Sequence, residues 1–290
     1  MGQDHPSECP TPDRQGASRL ETEVTMKILI MTDLEGTAGV VSFEEQTGPG
    51  SRYYEAAKKL LTAEVNAAVD GLIEAGAADV LVIDGHGPGA VCYEDLHPKA
   101  RLLHGRPLAP WSSLARVFEG YDASMMIGQH TMAGVATGNM NHTQNSRAID
   151  YYQLNGRKIG EIAQFALFCG GLGVPMIFLS GDEEACREAE AFMPGIVTAA
   201  VKRGLGRGSA ISLSAVEARR RIREGVRQAI EQQRKSPLPP LVWESPYVLE
   251  IRYFSTSDAD ARMNLPGSVR VDSQTVRFES DSILDIIFRY

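Results

Sequence analysis

The chain has 290 residues, 43% of them hydrophobic and 23% charged, which gives one large domain or two small ones with a sizeable core. A net charge of −8 argues against a general nucleic-acid binder and against a polybasic membrane anchor, and no apolar run reaches the length of a membrane span. The four cysteines, Cys9, Cys92, Cys169 and Cys186, form no CxxC pair, so they read as reduced thiols in a cytoplasmic protein.

Residues 1–25 are polar, lack an apolar signal core and read as a disordered tail, with the fold starting at Met26. Lys27 to Met31 is an apolar, β-branched run that predicts a buried strand, and it leads into Thr32-Asp33-Leu34-Glu35-Gly36. A Gly-rich loop through Gly50 precedes a helical pattern from Tyr53 to Ala75, stopped by Gly76. Asp79 to Asp84 is a second buried strand ending in Gly85-His86-Gly87, so strand, helix and strand form a βαβ unit. Ala123 to Gly128 is a third strand, followed by Gln129-His130 and a polar segment that contains Asn141-His142-Thr143.

Ile149 to Leu154 predicts an extended segment that turns at Asn155-Gly156, Lys158 to Cys169 a helix, and Pro175 to Leu179 a buried strand running into a helix through Ala191. Ile196 to Lys202 has strand character, Val216 to Gln233 is a charged amphipathic helix, and Pro237-Leu238-Pro239-Pro240 reads as a linker. Strands at Tyr247 to Phe254 and Thr275 to Glu279 and a short helix from Ile283 to Phe288 complete the chain. The fold class is therefore α/β: an open, mostly parallel sheet flanked by helices over 26–202, with a smaller α+β part over 203–290.

Three of the predicted strands end in metal-capable side chains: Asp33 and Glu35, then His86, then His130. Parallel strands bring their carboxyl ends to one edge of the sheet, where open α/β folds bind ligands. Two carboxylates on the same side of an extended chain repel unless a cation lies between them. A mixed carboxylate and imidazole set suits zinc or manganese better than calcium or magnesium, and is large enough for two ions sharing a carboxylate. Asp33, at the strand end, is the best placed to bridge. Asp84, two residues before His86, reads as the acceptor that orients that imidazole from behind. His142 lies 12 residues beyond His130 in a polar loop and is a candidate acid, base or oxyanion donor, whereas His97 and His104 look structural.

The order Asp33-Leu34-Glu35-Gly36, Asp84-Gly85-His86, Gly128-Gln129-His130, His142-Thr143 and Gly160-Glu161 resembles the M55 family of DppA-like D-aminopeptidases. Leu96-His97-Pro98, Ser180-Gly181-Asp182 and Thr198 to Lys202 resemble it as well, so the likeness runs from Met26 nearly to the C-terminus. The resemblance implies two zinc ions per chain held by Asp33, Glu35, His86, His130 and Glu161, with His142 catalytic. It also implies hydrolysis of short peptides with N-terminal D-amino acids, and a homodecamer of two stacked five-fold rings. Gly85 departs from the pattern, since a serine is expected there, and the loop from His130 to His142 differs slightly in length. The competing readings are a two-metal phosphoesterase, which calls for a cation such as Arg147 or Lys158 at the metals, and a non-catalytic ring-forming metal-binding protein.

Overall fold

A computed structural model describes residues 1–2 and 25–289. The disordered tail expected over residues 1–25 falls almost wholly outside them. In chain order the elements are β1 (Lys27–Thr32), α1 (Phe43–Gln46), α2 (Tyr54–Glu74), β2 (Asp79–Asp84), β3 (Ala100–Leu103), α3 (Trp111–Phe118) and β4 (Ala123–Gln129). They continue with β5 (Ile149–Leu154), β6 (Arg157–Ile159), α4 (Glu161–Gly171), β7 (Met176–Asp182), α5 (Glu183–Phe192), β8 (Val197–Gly206), β9 (Ser209–Ser212) and α6 (Ala215–Lys235). The last are β10 (Tyr247–Tyr253), α7 (Thr256–Arg262), β11 (Val269–Arg270), β12 (Thr275–Ser280) and α8 (Ile283–Ile286).

Seven strands form one sheet in the order β3-β2-β1-β4-β7-β8-β9, parallel except for β9. The connections run outward in both directions from β1, so the order reverses between β1 and β4, and such a switch point opens a crevice at the strands' carboxyl ends. The central strands are apolar on both faces because both faces are covered. Ile28 and Ile30 of β1 join a core with α2 and α6, while Leu29 and Met31 join a core with α3, α4 and α5. Ser214 caps α6 by accepting from the Glu217 amide at 3.3 Å, and Asp182 does the same for α5 from Glu184 at 2.9 Å.

The second sheet, β11-β12-β10-β5-β6, is antiparallel. Tyr152, Leu249, Ile251 and Phe278 on its inner face share the core with α4. The division expected near residue 202 is not how the sheets divide. That position lies inside β8, the first sheet continues through β9, α6 packs on that sheet, and β5 and β6 belong to the second. The reason is that β5 and β6 pair with β10 across a long stretch of chain, which no local pattern announces.

The helix expected from Lys158 starts later, because residues 157–159 complete a hairpin with β5 and the helix begins at Glu161 after Gly160. That hairpin turns where expected, with Asn155 and Gly156 both at positive φ. Among the described residues, no helix is long and apolar enough to cross a membrane.

Candidate metal centre

The backbone at the carboxyl edge of β1 and β4 is unusually close, and two glycines permit it. A Cβ at Gly36 would stand 2.0 Å from the Gln129 carbonyl oxygen, and one at Gly128 would stand 2.1 Å from that of Asp33. Gly128 also has a φ of +76°, which side chains rarely adopt. The Asp33 amide donates to the Ile127 carbonyl at 2.9 Å and the Gly36 amide to that of Gly128 at 2.8 Å, so the turn carrying both acids is bonded to β4.

Five of the six sequence-derived ligand and catalytic residues form two groups joined by Asp33. Its Oδ1 lies 3.2 Å from Nδ1 of His86, which is also 2.9 Å from Oε2 of Glu35. Its Oδ2 lies 3.1 Å from Nε2 of His130, which is in turn 3.4 Å from Oε1 of Glu161. The sixth, His142, stacks on His130 with ring centroids 4.0 Å apart, and its Nε2 lies 3.8 Å from the same Glu161 oxygen. Asp33, Glu35, His86 and His130 are buried, at 6, 4, 5 and 1% exposure.

Each imidazole is set the same way. One ring nitrogen meets a backbone carbonyl, of Thr47 at 2.8 Å for His86, of Thr131 at 2.9 Å for His130 and of Met140 at 3.0 Å for His142. The other nitrogen faces the carboxylates. Carbonyl contacts of this kind fix the tautomer of a metal-ligating histidine. Asp84 does not orient His86 through the ring. It accepts from the Ala90 amide at 2.9 Å and lies 3.6 Å from Arg106, whose guanidinium also donates to the carbonyls of Asp84, His86 and Gly87. Asp84 points into the loop after β2, and the Thr47 carbonyl takes the role the sequence suggested for it.

Two buried atoms at the centre, Oε2 of Glu35 and Nε2 of His130, have no hydrogen-bond partner. Buried polar atoms in this condition are costly, and a shared cation satisfies them. The nitrogen and oxygen donors suit a transition metal. Asp33, Glu35 and His86 hold ligand atoms within 4.8 Å of one another, and so do His130, His142 and Glu161.

Burial by itself would pull the His86 and His130 imidazoles down, but the facing carboxylates outweigh it and hold both well above the ordinary value. Burial would likewise raise Asp33 and Glu161, and the histidines instead keep both low. Burial and the neighbouring His130 push His142 down. Without metal, the two raised histidines add stability below about pH 6.5 that is lost as pH rises through their folded-state pKa values. The two lowered carboxylates add stability above about pH 4 that is lost as pH falls through theirs. The melting temperature of chelator-treated protein is therefore expected to fall as pH rises above about 6.5. The stabilisation on adding zinc is expected to grow over the same range, because metal competes with protons. Parallel melting curves with and without metal test this; a zinc-induced shift that shrinks as pH rises would contradict it.

Sequence reading missed two supports. Lys202 on β8 is buried, and its ammonium donates to the carbonyls of Glu35 and Val40 and to Oδ1 of Asn139, the last two at 2.6 and 2.8 Å. Burial lowers its pKa to about 8. Glu188 on α5 accepts from the Thr131 hydroxyl at 2.9 Å and the Met132 amide at 2.8 Å, holding the chain just after His130, and burial pushes it up to about 7. A lone lysine within a strand and a glutamate inside a charged helix carry no local signal of either role.

The centre forms the floor of a cavity of about 550 Å³, which Phe43, Thr47, Arg106, Ser146 and Arg262 also line. The two cations that the sequence offers to a phosphate-binding site lie elsewhere. Lys158 sits over the Tyr151 ring at 4.7 Å, and Arg147 lines a separate recess with Arg207. His97 pairs with Asp70 at 3.5 Å, and His104 stacks on exposed Tyr93, both away from the cavity.

Paired acid and histidine clusters at the carboxyl edge of an α/β sheet, under an open cavity, have the donors and the access of a metallohydrolase centre. A model of peptidase family M55, the D-aminopeptidases, matches residues 26–289, and the chain belongs to that family as a metallo-aminopeptidase. The D-aminopeptidase of Bacillus subtilis (strain 168) is 29% identical over 262 residues, covering 90% of this chain and 93% of its own. The solved structure of the Zn-dependent D-aminopeptidase DppA from Bacillus subtilis, a self-compartmentalizing protease, superposes with a TM-score of 0.83 at 28% identity. The match covers 90% of this chain and 94% of that one.

Proposed function

We infer that the protein is a two-zinc aminopeptidase that removes an N-terminal D-amino acid from short peptides. The observation that carries this reading is Asp33, which offers one oxygen to the His86 and Glu35 group and the other to the His130 and Glu161 group. When bound, two zinc ions supply Lewis acidity to the scissile carbonyl and acidify the attacking water. Asp33, Glu35, His86, His130 and Glu161 would hold them. Gln144 donates its backbone amide to Oε1 of Glu161 at 2.7 Å, which fixes that carboxylate.

His142 handles the proton. Its Nδ1 is engaged by the Met140 carbonyl, its lowered pKa keeps Nε2 free to accept, and Nε2 faces the cavity beside Glu161. The edge of Phe43, 5.4 Å from the His142 ring, fixes the plane of the imidazole. Met140 at φ 54° and Gln144 at φ 61° flank His142 in a loop conformation uncommon for residues other than glycine. The D preference follows from family membership.

The same reading has the chain assemble into a closed homodecamer of two five-fold rings, as the self-compartmentalizing neighbour supports for an oligomer, with the active sites shielded from folded proteins. A cytoplasmic setting agrees with Cys92, Cys169 and Cys186 being free thiols. Matched D and L dipeptides, assayed with and without chelator, test the activity. The D series is expected to be cleaved at least tenfold faster and chelator to stop it; equal cleavage of the L series, or cleavage that survives chelation, would contradict the reading.

A further inference from the structure

A second, smaller cavity opens off the first beside the metal centre, and its composition is different. The two share Asp33, Gly85, Leu108, Gln144 and Glu161 at the mouth. Beyond that rim the walls are mainly apolar, Met31, Trp111, Met126, Phe165 and Phe288, joined by Thr32 and by Gln129, whose amide is turned to Asp33 Oδ2 at 3.4 Å. The only hydroxyl there, on Thr32, is turned away to donate to the Ile83 carbonyl at 3.1 Å. No charged side chain lines the inner part. The back wall is rigid: Trp111 and Phe288 stack face to face at 3.6 Å, and Phe168 packs edge-on to both, at 5.0 and 5.5 Å.

We propose that this side pocket receives the side chain of the substrate's N-terminal residue and selects aliphatic side chains of about four carbons. The proposal rests on the aminopeptidase reading, because it places the scissile carbonyl at the metal centre that forms the pocket's rim. A residue whose carbonyl stands at Asp33 and Glu161 has its side chain next to this apolar recess, and its free α-ammonium beside the same carboxylates.

Size sets the preference. The pocket holds about 100 Å³, whereas an engineered apolar cavity of about 150 Å³ accepts the six carbons of benzene. Scaling by volume leaves room for roughly four carbons, the size of a leucine or methionine side chain. An alanine methyl leaves most of the pocket unfilled, a phenyl ring exceeds it, and a lysine ammonium finds no anionic partner in the inner part.

Gly85 opens the way in. It lines both cavities, and a Cβ at this position would stand 2.6 Å from Sδ of Met31 and 2.6 Å from the Thr32 carbonyl oxygen. A side chain there would press on Met31, a wall of the pocket.

The test is kcat/KM on dipeptides Xaa-Gly with Xaa as alanine, leucine, methionine, phenylalanine and lysine, each in both configurations. In the preferred configuration, leucine and methionine are expected to exceed alanine, phenylalanine and lysine by tenfold or more. Leu108→Trp, which fills the mouth, is expected to lower the leucine-to-alanine ratio tenfold or more, and Leu108→Ala to raise the phenylalanine-to-leucine ratio. Ratios are unaffected by partial misfolding, which lowers all substrates alike. Efficient cleavage with alanine or lysine preferred, or ratios that neither substitution moves, would overturn the pocket assignment and leave the aminopeptidase reading standing. Failure to cleave any dipeptide would overturn both.

Discussion

Asp33→Ala is expected to reduce peptide hydrolysis on the order of 10³-fold or more and to lower bound metal well below the wild-type content. Both effects come from one carboxylate with two tasks. Its two oxygens lie 3.2 Å from His86 and 3.1 Å from His130, one in each group, so its loss takes a carboxylate oxygen from both. Lewis-acid assistance contributes several kcal/mol to such reactions, and each 1.36 kcal/mol is a factor of ten in rate. The protein should remain folded by circular dichroism. The carboxylate accepts from the Leu34 amide at 2.8 Å, takes one weak contact from Gln129 at 3.4 Å and faces His86 and His130, but all of these lie at the sheet edge above an apolar core that does not depend on them. His97→Ala is the control, since His97 lies outside the cavity paired with Asp70. Metal analysis and kinetics on one preparation decide the matter. Wild-type metal content together with wild-type rate in the Asp33 variant would mean that the bridging position has been misassigned.

His142→Ala is expected to leave metal in place and to lower kcat by about 10²–10⁴-fold, the range for a positioned acid–base group. KM should change much less, because the lost interaction is made mainly in the transition state. The pH profile supplies the sign. If the histidine acts as a neutral base, its lowered pKa means that wild-type activity falls as pH drops through a value below about 6.5. The variant should lose that acidic limb. Geometry sharpens the alternative: Nε2 of His142 lies 3.8 Å from Oε1 of Glu161, close enough for the two to share an ion. Loss of metal along with activity would make His142 a ligand, and unchanged kcat with full metal would remove it from the mechanism.

The candidate site was legible in the sequence to the extent that parallel strands end together. An apolar run closing in Asp33 and Glu35, another closing at His86 and a third at His130 predict convergence without any knowledge of contacts, and the strand order meets that expectation with β2 and β4 flanking β1. The partners of those side chains were not legible. Thr47 contributes a backbone carbonyl, which any residue could supply, and Lys202 arrives from a strand two places beyond β4. Asp84 shows the limit of spacing arguments: two residues from His86 in sequence, it turns its carboxylate to the loop amides instead of the imidazole.

The fold shows the same division. Periodicity located the buried strands and long helices. It missed β3, whose four residues are only partly buried, and α3, whose two turns bury only Leu114 and Phe118. It also divided the chain at the wrong place, because the pairing of β5 with β10 is non-local. The side pocket is a further case, since its walls come from β1, β4, α4, the start of α3 and the segment after α8, and no one stretch of sequence displays them together.

The most direct test of the two-metal account is a zinc titration of chelator-treated protein, with bound metal and hydrolysis of a D-dipeptide measured at every point. The account predicts saturation at two zinc ions per chain and full activity only as the second site fills, with Asp33→Ala failing to reach either. Full activity in metal-free protein, or saturation of activity with a single zinc per chain, would contradict it.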